Sequence, residues 1–395
     1  MVNTAKKSIK LGLEVALTNA ASLFGDARIG LICNQASVDH QFRHAADLFF
    51  EDPDINLTTL FGPQHGIRGD VQDNMVETAH SIDKATGLKI YSLYSETRIP
   101  TKEMLAEVDA LVFDLQDVGC RIYTFVYTMA NCMIACQRSG KKMFVCDRPN
   151  PITGKYVEGN ILEPGHESFV GQYAIAARHG MTAGELALMF NDDFGIGCEL
   201  EIIKMEGWNR EDWYDETDAP WVLPSPNMPT VDTTGVFPAT VVFEGTQVSE
   251  GRGTTKPFEL VGAPFISASE YAAAMNALDL PGVIFRAAEF LPTFQKHANA
   301  GCGGVQLHVT DRETFTPVRT GVVMVKVLHD LYGDKLKWKE PPYEYVYDRN
   351  PFDVICGTDK IRRVIESNGS LADLDGVLEN GYAEFLQMRE KHLLY

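Results

Sequence analysis

Short apolar runs alternate with longer amphipathic segments through the first half of the chain. Continuous apolar runs bounded by turn residues are typical of strands covered on both faces of a sheet. Such runs predict strands at residues 29–33, 56–61, 89–93, 110–115, 142–147 and 200–205. Helices are predicted between them, at residues 101–108, at 124–139 with Gly140 as C-cap, and at 182–190 with a capping box. This alternation favours an α/β fold with a mainly parallel sheet.

The pattern changes near residue 221. Residues 224–229, Pro-Ser-Pro-Asn-Met-Pro, read as a rigid and extended junction between two domains. Beyond them the pattern predicts strands at 241–244 and 304–310, a capping box at 267–270 and a helix at 317–332. Pro341, Pro342 and the tyrosines near Tyr345 predict a loop packed on the surface.

A chain of 395 residues is too long for one ordinary core. We therefore expect a Rossmann-like, mainly parallel α/β domain at residues 1–225 and a smaller α+β domain at residues 226–395. The active cleft is expected between the two.

The net charge of −19 argues against nucleic acid and anionic membrane surfaces as partners, because both attract basic patches. The first ten residues are polar, and no run of about 18 apolar residues occurs. We therefore expect no signal peptide, no membrane span and a cytoplasmic location. The eight cysteines form no Cys-x-x-Cys pair, which favours reduced and buried thiols. The oligomeric state stays open, a homo-oligomer included.

Three polar, glycine-containing segments follow predicted strands directly. They are residues 61–69, 113–123 and 146–151. In an open α/β sheet, ligands bind in the crevice beyond the carboxyl ends of the strands. The three segments therefore predict a single site that takes a polar substrate.

Common signatures of other chemistries are missing. The sequence has no Gly-x-Gly-x-x-Gly after the first strand, no Gly-x4-Gly-Lys-Ser/Thr, no Gly-x-Ser-x-Gly and no His-Glu-x-x-His. We therefore expect no cofactor. A metal site built from His65, Asp70, Asp73 and His80 would match no standard loop spacing, so no metal is predicted either.

Acidic and basic side chains are abundant near the predicted site. The acids are Asp114, Asp117, Asp147, Glu158, Glu244 and Glu250, and the arginines are Arg68, Arg121, Arg148 and Arg252. Two carboxyl groups facing each other across a cleft are the usual equipment for cleaving a glycosidic bond, and an arginine offers a fork to a substrate carboxylate. The alternative for each acid is to brace a loop through backbone hydrogen bonds.

Two further features support a polar site. His65 and His179 lie in glycine-flanked polar segments, as structural residues or as contacts to sugar hydroxyl groups. Residues 244–255 contain glycines, hydroxyl groups, two acids and one arginine, which favours a functional loop over a plain connector.

Several ordered motifs together resemble the exo-β-N-acetylmuramidases of bacterial cell-wall turnover. They include Phe61-Gly-Pro-Gln-His-Gly66, Asp147-Arg-Pro-Asn-Pro151, Arg178-His-Gly-Met-Thr182 and Ser249-Glu-Gly-Arg-Gly-Thr-Thr255. The resemblance runs from residue 30 to about residue 312. It implies a Rossmann-like N-terminal domain, a smaller C-terminal domain and removal of N-acetylmuramic acid from the non-reducing end of peptidoglycan fragments. The lactyl carboxylate of that sugar would be bound by Arg68, Arg121 or Arg252.

The sequence departs from the family at Gln64. Many members have a glutamate at this position, and the resemblance implies that it is the catalytic acid. A glutamine can hydrogen-bond a sugar but cannot titrate. Either another carboxyl group acts here, or the activity is lost or altered.

The leading prediction is a glycoside hydrolase that acts on N-acetylmuramic acid-containing saccharides through carboxylate acid/base chemistry. The candidate catalytic residues are Glu250 and Glu244, then Asp114, Asp117, Glu158 and His65. The candidate substrate contacts are Gln64, Arg68, Arg121, Tyr123, Asp147, Arg148, Asn150, His179, Asn227 and Arg252. The alternatives are a catalytically silent saccharide-binding homologue and a hydrolase of another N-acetylated or acidic sugar. Inverting and retaining stereochemistry both stay open.

Overall fold

The buried apolar runs of the first half form one large sheet. The computed structural model describes residues 6–69, 71 and 76–395. The first nine strands are β1 (Arg28–Cys33), β2 (Asn56–Gly62), β3 (Ser81–Ile82), β4 (Lys89–Ser92), β5 (Ala110–Asp114), β6 (Lys142–Cys146), β7 (Glu158–Ile161), β8 (Ala176–Arg178) and β9 (Glu199–Ile203). Seven of them pair in the order β3-β4-β2-β1-β5-β6-β9, and only the edge strand β3 is antiparallel to its neighbour.

Both faces of this sheet are covered, as the apolar runs predict. Leu111 and Phe113 of β5 pack into one hydrophobic cluster, whereas Ala110 and Val112 pack into another. Alternate side chains of a strand point to opposite faces, so one strand supplies two cores. The helices of this half are α1 (Gly12–Thr18), α2 (Ala20–Phe24), α3 (Ala45–Glu51), α4 (Phe125–Ser139) and α5 (Ala183–Asp192).

Two predicted helix ends are confirmed in detail. Gly140 ends α4 with a φ of 61°, a left-handed conformation that glycine adopts without a steric penalty. Thr182 and Glu185 form the predicted capping box at the start of α5.

The second half contains a small antiparallel sheet and most of the remaining helices. Its elements are α6 (Val231–Thr240), β10 (Leu260–Ala263), α7 (Ala268–Asn276), β11 (Val283–Phe290), β12 (Cys302–Val309), α8 (Pro317–Tyr332), α9 (Pro351–Cys356), α10 (Lys360–Glu366), α11 (Leu371–Leu378) and α12 (Tyr382–Glu390). The sheet order is β10-β12-β11, and β7 pairs with β8 in a separate ribbon. The predicted fold class, a mainly parallel α/β sheet followed by a smaller α+β part, is confirmed.

Two element predictions are wrong, and the capping box predicted at residues 267–270 is absent, since the Ser267 side chain makes no cap hydrogen bond at the start of α7. Residues 101–108 form successive turns instead of a helix, and these turns bury Met104, Leu105 and Val108. A segment this short gains little stability from cooperative helix formation. Its conformation is therefore determined by the burial of its apolar side chains. Residues Val241–Gly245 form a 3₁₀ helix that continues from α6, instead of a strand. All five are buried, so tertiary packing overrides the β propensity of the two valines.

The two halves share a core and a set of polar contacts. One hydrophobic cluster contains residues from the large sheet, from the small sheet and from the C-terminal helices. At the end of the chain, the Tyr395 hydroxyl donates to Asp147 Oδ2 at 2.9 Å. All eight cysteines are buried with free thiols. Within the described part of the chain, no helix has the length and apolarity needed to cross a membrane.

Gly321 lets α8 approach α6, and its replacement should test this packing. A Cβ atom at residue 321 would lie 1.9 Å from the carbonyl oxygen of Ala239. We expect Gly321→Ala to lower the free energy of unfolding by about 3 kcal/mol, because backbone must move to admit the methyl group. Denaturant unfolding measures the loss. Gly376→Ala in α11 is the control, since its Cβ meets nothing within 4 Å. An equal loss in both variants would contradict the packing argument.

Candidate active site

A polar pocket lies beyond the carboxyl ends of β2 and β5, where the two halves meet. Its wall combines the segments that follow these strands with the junction near Ser225, the 3₁₀ helix, the loop around Arg252 and the segment at residues 343–344. Its polar lining residues are Gln64, His65, Tyr123, Thr124, Ser225, Glu244, Arg252, Tyr343 and Glu344. Five of the predicted site residues therefore line this pocket, namely Gln64, His65, Tyr123, Glu244 and Arg252.

Glu244 is buried in this pocket and is held by two donors. Arg252 Nη2 lies 2.6 Å from Glu244 Oε1, and the Tyr343 hydroxyl donates to Glu244 Oε2 at 2.6 Å. Burial acts to raise the pKa of the Glu244 carboxyl, but the charge of Arg252 and both hydrogen bonds outweigh it. The pKa of Glu244 is therefore below its ordinary value, and the group is an anion at neutral pH.

Glu250 lies behind Arg252 and not among the residues that line the pocket. Arg252 Nε is 3.2 Å from Glu250 Oε1, and Lys296 Nζ is 2.8 Å from Glu250 Oε2. Of the two acids ranked first from the sequence, Glu244 faces the pocket and Glu250 supports the arginine beside it.

Glu344 is the acidic pocket residue that the sequence did not predict, and the polar lining residues Thr124, Ser225 and Tyr343 were not predicted either. Gln64 Nε2 donates to Glu344 Oε1 at 3.3 Å, and the Tyr94 hydroxyl donates to Glu344 Oε2 at 2.7 Å. The Thr124 hydroxyl donates to Gln64 Oε1 at 2.8 Å, which turns the Gln64 amide nitrogen toward Glu344. Burial raises the pKa of the Glu344 carboxyl, and the nearby charge of Glu244 adds to this.

The prediction of a surface loop near Tyr345 is therefore wrong for its central residues. Tyr343 is 1% exposed and Glu344 is 3% exposed. Prolines and tyrosines are common in surface loops, and the sequence alone carries no sign of partners as distant as Gln64 and Glu244.

His65 lines the pocket with a φ of 69°, in the left-handed region. Its Nδ1 lies 2.7 Å from the carbonyl oxygen of Val71. A carbonyl only accepts, so Nδ1 carries a proton. Tyr123 contributes its ring, which packs edge-on against Phe125 and Phe237.

Asp114, Asp147 and Arg148 are fully buried and are bound within the protein. Arg148 forms a bidentate pair with Asp114, with distances of 2.6 and 2.8 Å. Asp147 accepts hydrogen bonds from Thr182 Oγ1 at 2.6 Å and Gly184 N at 2.8 Å. Burial raises the pKa of Asp147 to about 6. These groups join the strand ends beneath the pocket, and they match the loop-bracing alternative.

Arg121 and Arg68 are also bound elsewhere. Arg121 is 1% exposed, and it donates to the carbonyl oxygens of Asn160 and Cys356 at 2.8 Å each. Arg68 pairs with Asp83 and borders a different cavity. Of the three arginines expected to bind a lactyl carboxylate, Arg252 is the one that lines the pocket.

The remaining predicted residues are buried outside the pocket lining. Asp117 Oδ2 accepts from Gly119 N at 2.7 Å and lies 3.3 Å from His179 Nε2. Asn150 Nδ2 donates to the carbonyl oxygen of Met181 at 3.0 Å. Asn227 is buried in the junction between Ser225 and Met228, which both line the pocket.

Glu158 accepts from the Arg319 backbone N–H at 2.8 Å. Glu158 is half-buried and lies outside the pocket lining, but its Oε2 is buried, and burial raises the pKa of the carboxyl to about 7.

Among the described residues, no group of three or more histidine, cysteine or acidic side chains could hold a metal ion. Asp70 and Asp73 lie outside those residues. His80 Nδ1 accepts a hydrogen bond from Ser92 N at 3.0 Å.

A larger cleft of about 770 Å³ lies elsewhere between the halves, beside Arg178 and Trp213. Four of its charged side chains form two salt bridges, Arg312 with Asp215 at 2.7 Å and Lys256 with Glu259 at 3.0 Å. The smaller pocket contains five of the predicted site residues and two buried carboxyl groups, and we therefore treat it as the better candidate for catalysis.

Known proteins resemble this chain over nearly its whole length. The models of the NamZ exo-β-N-acetylmuramidase N-terminal and C-terminal domains match residues 29–232 and 235–395. A Bacillus subtilis (strain 168) protein named peptidoglycan β-N-acetylmuramidase NamZ is 48% identical over 393 residues, which are 99% of this chain and 93% of that protein. The chain belongs to the NamZ family.

Solved structures confirm the fold of this family member. Two crystal structures of DUF1343 family proteins from Bacteroides fragilis NCTC 9343 superpose with TM-scores of 0.89 and 0.77. Their sequence identities are 34% and 28%, and each comparison covers 98% of this chain and 99% of the other. The family resemblance inferred from the sequence motifs is confirmed.

A structural role for Asp114 can be tested in this NamZ family member by unfolding. We expect Asp114→Asn to lower the free energy of unfolding by about 3–5 kcal/mol, because it leaves the buried Arg148 charge without its partner. Asp109→Asn is the control, since Asp109 pairs with Arg28 at the surface and should lose about 1 kcal/mol or less. Similar losses in both variants would contradict the role assigned to the buried pair.

Glu158 should make stability depend on pH. Its pKa in the folded protein, about 7, lies above the unfolded value, so its contribution is fully present at low pH. That contribution is lost as pH rises through about 7. The wild type should therefore lose free energy of unfolding as pH rises, and we expect Glu158→Gln to remove up to about 3 kcal/mol of that loss. Melting temperatures at pH 5 and pH 8 measure it, with the exposed Glu289→Gln as control. An unchanged pH dependence in Glu158→Gln would exclude this group as the cause.

Proposed function

We propose that this protein is an exo-β-N-acetylmuramidase that releases terminal N-acetylmuramic acid from peptidoglycan-derived saccharides. The Bacillus subtilis relative bears the name of this activity and aligns over nearly the whole chain. The pocket is consistent with it, because both halves of the protein supply its polar groups and two of these groups are carboxyl groups.

The observation that carries the proposal is Glu244, a carboxyl group that is buried and yet held as an anion. Cleavage of a glycosidic bond passes through an oxocarbenium-like transition state, in which positive charge develops at the anomeric carbon. A fixed anion in a pocket that excludes water stabilises such charge strongly. Arg252 and Tyr343 keep Glu244 ionised and oriented for this role.

Recognition of the substrate follows from the other polar groups of the pocket. Gln64, His65 and Tyr123 offer donors and acceptors to the hydroxyl and acetamido groups of the sugar. We assign the lactyl carboxylate to Arg252, which lines the pocket between Glu244 and Glu250.

The test is hydrolysis of a chromogenic N-acetylmuramic acid β-glycoside, beside the corresponding N-acetylglucosamine glycoside. We expect the wild type to cleave the first and to discriminate against the second, which has no lactyl group. Glu244→Gln should lower kcat about 10²–10³-fold, because it removes a charge that stabilises the transition state. Glu289→Gln, an exposed substitution, is the matched control.

Gln64→Glu, measured beside the wild type, separates the alternatives. Sugar binding without turnover by the wild type, with turnover gained in Gln64→Glu, would favour the silent saccharide-binding homologue. Turnover of the N-acetylglucosamine substrate alone would favour a hydrolase of another N-acetylated sugar. Full activity of Glu244→Gln would contradict the role of that residue.

A further inference from the structure

Glu344 occupies a backbone turn that glutamate rarely adopts. Tyr343 and Val346 exchange backbone hydrogen bonds of 3.0 and 2.9 Å, and Glu344 and Tyr345 between them have φ values of 44° and 65°. Left-handed conformations cost residues other than glycine about 1–3 kcal/mol each, and they persist where surrounding contacts enforce them. The chain accepts this strain at the point where a carboxyl group enters the pocket.

Side chains on both sides of Glu344 hold the turn in place. The Tyr343 hydroxyl donates to Glu244 at 2.6 Å. The Arg98 guanidinium lies 4.1 Å from the centre of the Tyr345 ring and 4.4 Å from that of Tyr94. Cation–π contacts of this kind are favourable, and they fix both rings around Glu344.

The surroundings of Glu344 suit a group that gives and takes a proton. Glu244 and Glu344 are the two carboxyl groups among the described residues that line the pocket. Burial and the Glu244 charge raise the pKa of Glu344, while the hydrogen bonds from Tyr94 and Gln64 and the charge of Arg98 act against the rise. The other ionisable side chains of the pocket are His65, Arg252 and the tyrosines Tyr123 and Tyr343. The two carboxyl groups of the pocket thus have pKa values shifted in opposite directions, lower for Glu244 and higher for Glu344. A pair made of a proton donor and an anionic stabiliser requires such a difference.

We propose that Glu344 is the general acid of this enzyme, in the place of the glutamate that the family resemblance implies at position 64. The C1–O bond breaks with its electron pair on the glycosidic oxygen, which takes the Glu344 proton and leaves as a hydroxyl group. A water molecule then bonds to C1 through its oxygen and gives a proton to a pocket carboxylate. Gln64 orients the Glu344 carboxyl group through the hydrogen bond that its amide nitrogen donates. This inference depends on the proposed muramidase function.

Glu344→Gln is the direct test, measured on two N-acetylmuramic acid β-glycosides. One has a poor leaving group such as unsubstituted phenol, and the other has 2,4-dinitrophenol, which departs without protonation. We expect kcat/KM to fall about 10²–10⁴-fold on the first substrate and by less than about tenfold on the second. Glu340→Gln, an exposed substitution in the same segment, should match the wild type on both.

Two further variants keep the test independent of folding. The double variant Gln64→Glu/Glu344→Gln keeps one carboxyl group and one amide but exchanges their positions. It should therefore recover part of the activity that the single variant Glu344→Gln loses. Tyr94→Phe removes a hydrogen bond that lowers the pKa of Glu344, so the alkaline limb of the pH–rate profile should move to higher pH. The acid is active while protonated, which fixes the sign of this shift.

The outcomes separate the two proposals. In one outcome the wild type turns over both substrates, and a folded Glu344→Gln variant loses the same factor of activity on each or loses none. This outcome would overturn Glu344 as the acid and leave the muramidase function standing. An unmoved alkaline limb in Tyr94→Phe would do the same. A wild type inactive on both substrates would overturn the proposed function. If Gln64→Glu then became active, position 64 and not Glu344 would be the proton donor of this scaffold.

Discussion

Alternating buried charges hold the wall of the pocket together. Glu244, Arg252, Glu250 and Lys296 follow one another at 2.6, 3.2 and 2.8 Å, so each inner group contacts two of opposite sign. Removing charges from water is costly, and the cost is tolerable only when partners compensate it. The row is neutral overall, and its end at Glu244 faces the pocket. The ionised state of Glu244 is thus a property of the whole row.

The sequence predicts the sheet well because burial on both faces leaves a direct trace, a continuous apolar run. Two of the three polar segments expected to share a site, those that follow β2 and β5, meet at Gln64 and Thr124, whereas residues 146–151 do not line the pocket. The sequence does not distinguish acids that line the pocket from acids that are bound elsewhere. Asp114 and Glu244 are both buried, and the structure is needed to show that Arg148 donates to both carboxylate oxygens of Asp114. Glu344 stayed hidden because its partner Gln64 lies 280 positions away.

The division into residues 1–225 and 226–395 stays a prediction, while the contacts show how closely the two parts are joined. Arg121 lies in the first part and donates to a carbonyl oxygen at Cys356 in the second. Tyr395 reaches Asp147 at the end of β6. These donors from the arginine and tyrosine side chains tie the C-terminal segment to the first part of the chain, and the pocket wall likewise combines residues from both parts.

The turn at residues 343–346 has a consequence for the spacing of the chain. Tyr343 contacts one carboxyl group of the pocket, and the next residue is the other carboxyl group. A single peptide unit therefore sets the register between the phenol that holds Glu244 and the carboxyl group of Glu344. Deleting or inserting one residue here would present a phenol where the carboxyl belongs, even with every residue type retained. The length of this segment is therefore constrained as tightly as its residue types.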